Sequence, residues 1–525
     1  MEQLRSKLEE VILFLKPYLP IANSHVVNFI TNNLWDNVIP EEIKRDMSVK
    51  SSHVLFSNFW SANPSPDSLT RFVALAKCNN LESYPKFCYK KLDSVNTLLQ
   101  NYGINSESDT YELKEFMAAK KMHEVEVMAR VVGDFAKVVG TNIIVDIGGG
   151  KGYLSSLLAL AHSLDVLGID SQSINSEGAK KRTLKFEKYW MSICKKPTTT
   201  KTPCPIIKEK LNSNEEYYKK YRRKPIVVGS TYKQTTEYVT ENTKIATLVQ
   251  NEFTVDNNEC FGLVGLHTCG SLATTCIKLF AEPQNRLNLL VNVGCCYHLI
   301  EEEFTVNSFW QDVEQALNEQ ESYGFPVSQF LKDKHFKLGR DARMCASQSP
   351  DKIFNLKDLA YPTKPLFYRS LLQVYLLQEL SIDEVNRQHV GRLAHKCATF
   401  NEYVHKAVKR LKLNIKVDDE KVNNLYNSHL VDYEKLQVFF LLKQVLAPVI
   451  EGFILMDRLL YLYEQAGVEE KEALLKQDIF CLFSLRLYRS VDENSSPLRI
   501  PPPLDSPRLG LGRILTTNHR TYNNG

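Results

Sequence analysis

Thr141–Gly152, TNIIVDIGGGKG, is the stretch whose reading decides the fold. Ile143, Ile144, Val145 and Ile147 surround Asp146, and Gly148, Gly149, Gly150 and Gly152 follow around Lys151. A short apolar run that ends in glycines is a buried parallel strand entering a tight turn. Tyr153–His162 (YLSSLLALAH) then places apolar side chains at helical spacing. The unit is strand, Gly-rich loop, helix. Glycines let a backbone approach a ligand closely, and the helix N-terminus behind them favours polar or anionic groups.

The dinucleotide fingerprint would be G-x-G-x-x-G, whereas the order here is D-x-G-G-G-x-G. That pattern resembles motif I of the S-adenosylmethionine (SAM) methyltransferases, whose turn cradles the methionine part of the cofactor. The resemblance assigns Asp146, Gly148, Gly149, Gly150 and Gly152 to the cofactor. A second apolar run, Leu164–Asp170 (LDVLGID), ends on an acid 20 positions after Gly150. An acid so placed in a doubly wound sheet accepts from a ribose; Asp170 is read in that role, with a helix N-cap as the alternative.

Working outward, 525 residues allow about two to four domains. A net charge of +4 over 65 basic and 61 acidic residues indicates no particular partner. The N-terminus MEQLRSKLEE lacks a secretory apolar core, and no membrane span is expected. The 12 cysteines are therefore expected as reduced thiols, in the cytoplasm or nucleus.

The expected organisation is a helical domain at 1–111, an α/β core at 112–300, a helical region at 301–477, and a strand-like segment with a disordered tail at 478–525. Lys114–Val139 should be a long helix leading into the first strand. Its turn AKKMHEV (Ala119–Val125) crowds Lys120, Lys121, His123 and Glu124, either as a solvated face or towards the cofactor or substrate. From Gly178 to Lys224 there are 15 Lys or Arg against 4 Glu. Within this stretch Cys194–Arg223 reads as a flexible insertion, either a solvated loop or a phosphate-binding arm. Strands are expected to resume at Ile226–Gly229 and Ile245–Val249. Asn307–Glu321, Lys364–Leu380, Phe400–Leu413 and Leu436–Glu464 read as helices, the last broken or kinked near Pro448. The basic side of Phe400–Leu413 is read as a solvated face in preference to an RNA patch.

Two further strands, Cys260–Leu266 and Leu287–Gly294, end in polar clusters: His267-Thr268-Cys269-Gly270 and Cys295-Cys296-Tyr297-His298. In an open parallel sheet ligands sit at the carboxyl ends of the strands, so both turns should join the Gly loop and Asp170 there. GLHTCGSL (Gly265–Leu272) and NVGCCYHL (Asn292–Leu299), after AKKMHEV and VDIGGGKG, resemble the methyltransferase-like protein 25 family, also labelled ribosomal RNA adenine dimethylase domain-containing. Asn28–Trp35, Gly391–Leu411 and Leu446–Gln465 extend the resemblance over about residues 20–480. It implies a doubly wound, Rossmann-like α/β fold and SAM as cofactor, and leaves the acceptor open.

For the cysteine turns, a metal site, a Cys nucleophile, direct transfer with His267 or His298 as base, and buried thiols lining the pocket all come into consideration. Without C-x2-C spacing or a proline-cysteine motif, the reading is no metal and no covalent intermediate. His267, Tyr297 and His298 are the catalytic candidates. The HTCG turn also resembles that of a tRNA 2′-O-methyltransferase family, which favours RNA over protein as acceptor. No Asn/Asp-Pro-Pro-Tyr/Phe motif supports adenine dimethylation. The rival reading is a non-catalytic RNA- or protein-binding module that keeps the fold. After Ser484 the chain departs from the family, where a last β-hairpin would be expected.

Overall fold

The strand that opens the reading, Ile143–Ile147, is buried at every position. Side chains alternate along a strand, so Ile144 packs into a cluster on one face while Ile143, Val145 and Ile147 pack on the other. A strand apolar on both faces has to be covered by helices twice. The computed structural model describes residues 1–49, 67–80, 83, 92–104, 110–111, 117–195, 231–304, 323–348, 364–381, 385, 390–465 and 481–484.

In chain order the strands are β1 (Thr110–Tyr111), β2 (Ile143–Ile147), β3 (Asp165–Asp170), β4 (Cys194–Lys195), β5 (Tyr232–Thr236), β6 (Phe261–Thr268), β7 (Leu287–Gly294) and β8 (Cys481–Ser484). Six of them form one sheet in the order β5-β3-β2-β6-β7-β8, with every neighbouring pair parallel. β1 and β4 make a separate antiparallel ribbon. This is the expected doubly wound, Rossmann-like sheet. Helices Ala119–Val139 and Tyr153–His162 cover one face, and Ile245–Glu252 and Leu272–Ala281 the other. From β2 the chain moves to β3 on one side, while β6 and β7 lie on the other. The direction reverses between β2 and β6, which is where such sheets open a ligand crevice.

One expected strand is a helix. Ile245–Val249 opens the helix Ile245–Glu252, with Ile245 and Val249 both fully buried. A five-residue apolar run fits either period, and these two positions, four apart, share one helical face. The strand in that part of the sheet is β5, YKQTT, whose sequence carries no apolar run because it lies at the sheet edge. Ile226–Gly229, Asn307–Glu321 and the tail after Ser484 lie outside the described residues, as does the insertion Cys194–Arg223 apart from β4.

The chain divides into two compact units. The first comprises 1–24, 40–359 and 441–491 and contains the sheet. The second comprises 25–39, 360–440 and 492–525. Within the second unit Phe367, Tyr368, Phe400, Tyr403 and Tyr426 form an aromatic cluster. The helix Phe400–Leu411 buries Phe400, Tyr403, Val404, Ala407 and Val408 there. On its outer side Lys406 pairs with Glu402 at 2.5 Å.

Leu430–Gln465 is one helix of 36 residues, unbroken at Pro448. By length and composition it could cross a membrane. Yet 94% of its most apolar 18-residue window is buried inside the protein. Its fully buried Asp457 accepts hydrogen bonds from the Val327 and Ser328 amides at 2.8 and 2.9 Å and from Ser328 Oγ at 2.6 Å. The segment following the Cys-Cys turn is thereby fixed to a core helix.

Candidate cofactor and acceptor site

The Gly loop is held by its own amides. Gly148 and Gly149 donate to the Ile169 carbonyl at 2.9 and 3.2 Å, and Gly152 donates to Gly149 O at 2.9 Å. Gly150 donates to Asp170 Oδ2 at 3.0 Å. The four N–H groups thus stitch β2 to β3 and shape the turn. What the loop offers a ligand is proximity. Gly148 and Gly150 have φ of +69° and +55°, and among the described residues a Cβ on either would meet nothing closer than 3.7 Å. Gly152 differs: a Cβ there would lie 2.6 Å from the Tyr232 hydroxyl and 2.9 Å from Ala179 Cβ. It serves packing beneath the loop.

The two acids occupy different levels. Asp146 is 1% exposed and accepts from Ser155 Oγ at 2.5 Å. Burial raises its pKa from 3.8 to about 6, against the opposing pull of the Ser155 hydrogen bond. Asp170 accepts from the Gln172 amide at 2.9 Å, Asn175 Nδ2 at 3.0 Å and the Gly150 amide. The Gln172 bond, from two residues on and ahead of the helix that starts at Ser173, is a local turn contact and not the helix N-cap weighed as the alternative for Asp170. A carboxylate has about four acceptor positions, so beside these three contacts one remains, among the described residues, for a hydroxyl.

The AKKMHEV turn faces the site. Lys121 Nζ and Arg182 Cζ each lie 4.8 Å from the centre of the Tyr153 ring, at the start of the helix behind the Gly loop. Arg182 also donates to the Lys151 carbonyl at 2.8 Å. Burial lowers the Lys121 pKa, with the charges of Lys151 and Arg182 acting in the same direction. From the same turn, buried Glu124 reaches across to His267, Oε2 to Nε2 at 3.5 Å. The charge crowding in AKKMHEV was the sequence signal for this arrangement, and the partner on β6 was not legible.

The second pair of turns closes the crevice. A Cβ on Gly148 would be 3.9 Å from the His267 carbonyl, so the end of β6 borders the Gly loop. His267 is exposed. Tyr297 is 1% exposed, and its hydroxyl donates to Glu451 Oε1 at 3.0 Å. That revises its expected place among the catalytic candidates: a buried hydroxyl bonded to the core helix anchors the turn. His298 is 6% exposed, and burial lowers its pKa, favouring the neutral ring. Among the described residues, His267 is the one of the three candidates that is both accessible and paired with an acid. Cys269 Sγ lies 3.2 Å from Cys295 Sγ, and Cys295 Sγ 3.6 Å from Cys296 Sγ. Ser155 was absent from the expected site residues, and Glu124 was expected there only as one alternative for the AKKMHEV turn.

Comparison with known proteins agrees with this geometry. A family model described as Methyltransferase domain matches residues 120–303. The chain carries a methyltransferase domain. It is 28% identical over 570 residues to the Mus musculus protein named Probable methyltransferase-like protein 25, covering 89% of this chain and 92% of that protein. The Homo sapiens protein of the same name is 28% identical over 588 residues, covering 89% and 93%. No solved structure matches significantly. These relatives belong to the family that the HTCG and CCYH turns resemble, and the domain contains the Gly loop, Asp170 and both cysteine turns.

Proposed function

We propose that the chain binds SAM across the carboxyl ends of β2 and β3 and transfers its methyl group to RNA presented over the turns after β6 and β7. The room above Gly148 and Gly150, with the acceptor position left on Asp170, carries the cofactor reading. When bound, SAM supplies a methyl group on a sulfonium, which leaves as a neutral thioether. Asp170 receives a ribose hydroxyl, and the Gly loop lets the methionine portion lie against backbone. Direct transfer depends chiefly on orientation.

His267 is the proton acceptor in this reading. Glu124 faces its Nε2, which favours the Nε2–H tautomer and leaves the Nδ1 lone pair to take the acceptor's proton as the bond to the methyl group forms. RNA is favoured over protein because Lys121, Lys151 and Arg182 gather at the loop, where they suit a phosphate backbone.

The test is incubation of the purified chain and labelled SAM with extract depleted of this protein. Label should appear in RNA and be lost with His267→Ala while SAM affinity is unchanged. Label in protein would refute the acceptor class. Intact SAM binding with no transfer to any fraction would establish a non-catalytic module instead.

A further inference from the structure

The expectation of no metal rested on the missing C-x2-C spacing, Cys269 and the Cys295–Cys296 pair being separated by a helix and a strand. Folding removes that objection. β6 and β7 are adjacent and parallel, so the turns that leave them meet at one edge. The Sγ atoms of Cys269, Cys295 and Cys296 all lie within 4.8 Å of one another, with closest separations of 3.2 and 3.6 Å. Two thiolates, each about 2.3 Å from a tetrahedral zinc ion, sit about 3.8 Å apart. The three sulfurs are within a few tenths of an ångström to one ångström of that triangle. The 3.2 Å contact is well outside the ~2.05 Å of a disulfide.

We infer that Cys269, Cys295 and Cys296 form a three-thiolate site for one soft divalent ion of the zinc type. Tetrahedral zinc takes a fourth donor, and two features leave room for it. Cys269 is exposed, so one side of the triangle is open to solvent or acceptor. On the same turn His298 is buried, and its Nδ1 has no hydrogen-bond partner among the described residues. The ion would join the turn after β6 to the turn after β7, fixing the two segments that border the acceptor side of the crevice. Binding releases the thiol protons to solvent and requires no oxidant or reductant.

The inference stands apart from methyl transfer, because its readout is metal content. Full-length protein grown with zinc and passed over a chelating resin should retain about one zinc per chain by plasma mass spectrometry. Cys269→Ser, Cys295→Ser and Cys296→Ser should each lose it, and Cys78→Ser should keep it. Should the serine variants fail to fold, the wild-type protein still decides. Replacing zinc with cobalt should give a thiolate-to-cobalt charge-transfer band, and bound zinc should shield these three cysteines from alkylation while Cys78 reacts. Wild-type protein that retains no metal, or zinc retained by the triple serine variant, would overturn the assignment.

Discussion

Asp146→Asn should gain stability relative to wild type as the pH rises from acid to neutrality. Asp146 is fully buried beneath the Gly loop, and its pKa is raised from 3.8 to about 6 by that burial. A carboxyl that holds its proton more tightly when folded contributes stability below its unfolded pKa and loses it as pH rises through the folded one. The window is therefore about pH 4 to pH 6. A shift of about two units at ~1.4 kcal/mol each is on the order of 3 kcal/mol. Asparagine has nearly the same shape, can still accept from Ser155 Oγ, and does not titrate. The difference between variant and wild type should move by about 3 kcal/mol in the variant's favour between pH 4 and pH 7. The titration of Asp457, also raised to about 6, cancels in that difference. Thermal midpoints of both proteins, measured without cofactor at four pH values, provide the assay. A difference flat with pH, or one that favours wild type increasingly towards neutrality, would refute the burial argument. A buried acid held at such a cost where asparagine fits marks a binding role.

Gly152→Ala should destabilise by about 2–4 kcal/mol in chemical denaturation, combining left-handed backbone strain with overlap on Tyr232 and Ala179. Gly150→Ala, with the strain alone, should cost about 1–2 kcal/mol. Tyr297→Phe should lower stability by about 1 kcal/mol through loss of the Glu451 hydrogen bond and leave the methyl-transfer rate unchanged; loss of turnover with an intact fold would restore Tyr297 to the catalytic set. Asp457→Ala should cost about 3–5 kcal/mol, seen as a depressed thermal midpoint, because the Val327 and Ser328 amides lose their buried acceptor.

How much the sequence discloses depends on where each element sits. β2, β3, β6 and β7 are interior strands, apolar on both faces, and each appears as a continuous run. β5 lies at the edge and reads as a polar segment, so its position went to the nearest apolar run, Ile245–Val249. That run is helical because its two buried residues fall four apart. The Gly loop and Asp170 were legible because both partners lie on one local strand-loop-helix-strand unit. Glu124 with His267, and Cys269 with Cys295, were not, because only the strand order brings them together. Tyr297 drew a catalytic reading from its neighbours, and its partner, Glu451, lies 154 positions away on the long helix. That helix was expected to break or kink near Pro448, and it does not break: it continues through Ala447–Ile450, all buried.

Titration calorimetry of SAM into the wild-type chain, Gly148→Arg and Asp170→Ala tests the central claim most directly. Wild type should bind one SAM per chain. Asp170→Ala should weaken it by about 10- to 100-fold through lost hydrogen bonds to a charged acceptor. Gly148→Arg, checked for its fold by circular dichroism, should abolish binding by filling the space above the loop. Unchanged SAM affinity in a folded Gly148→Arg protein would contradict the assignment of the Gly loop to the cofactor.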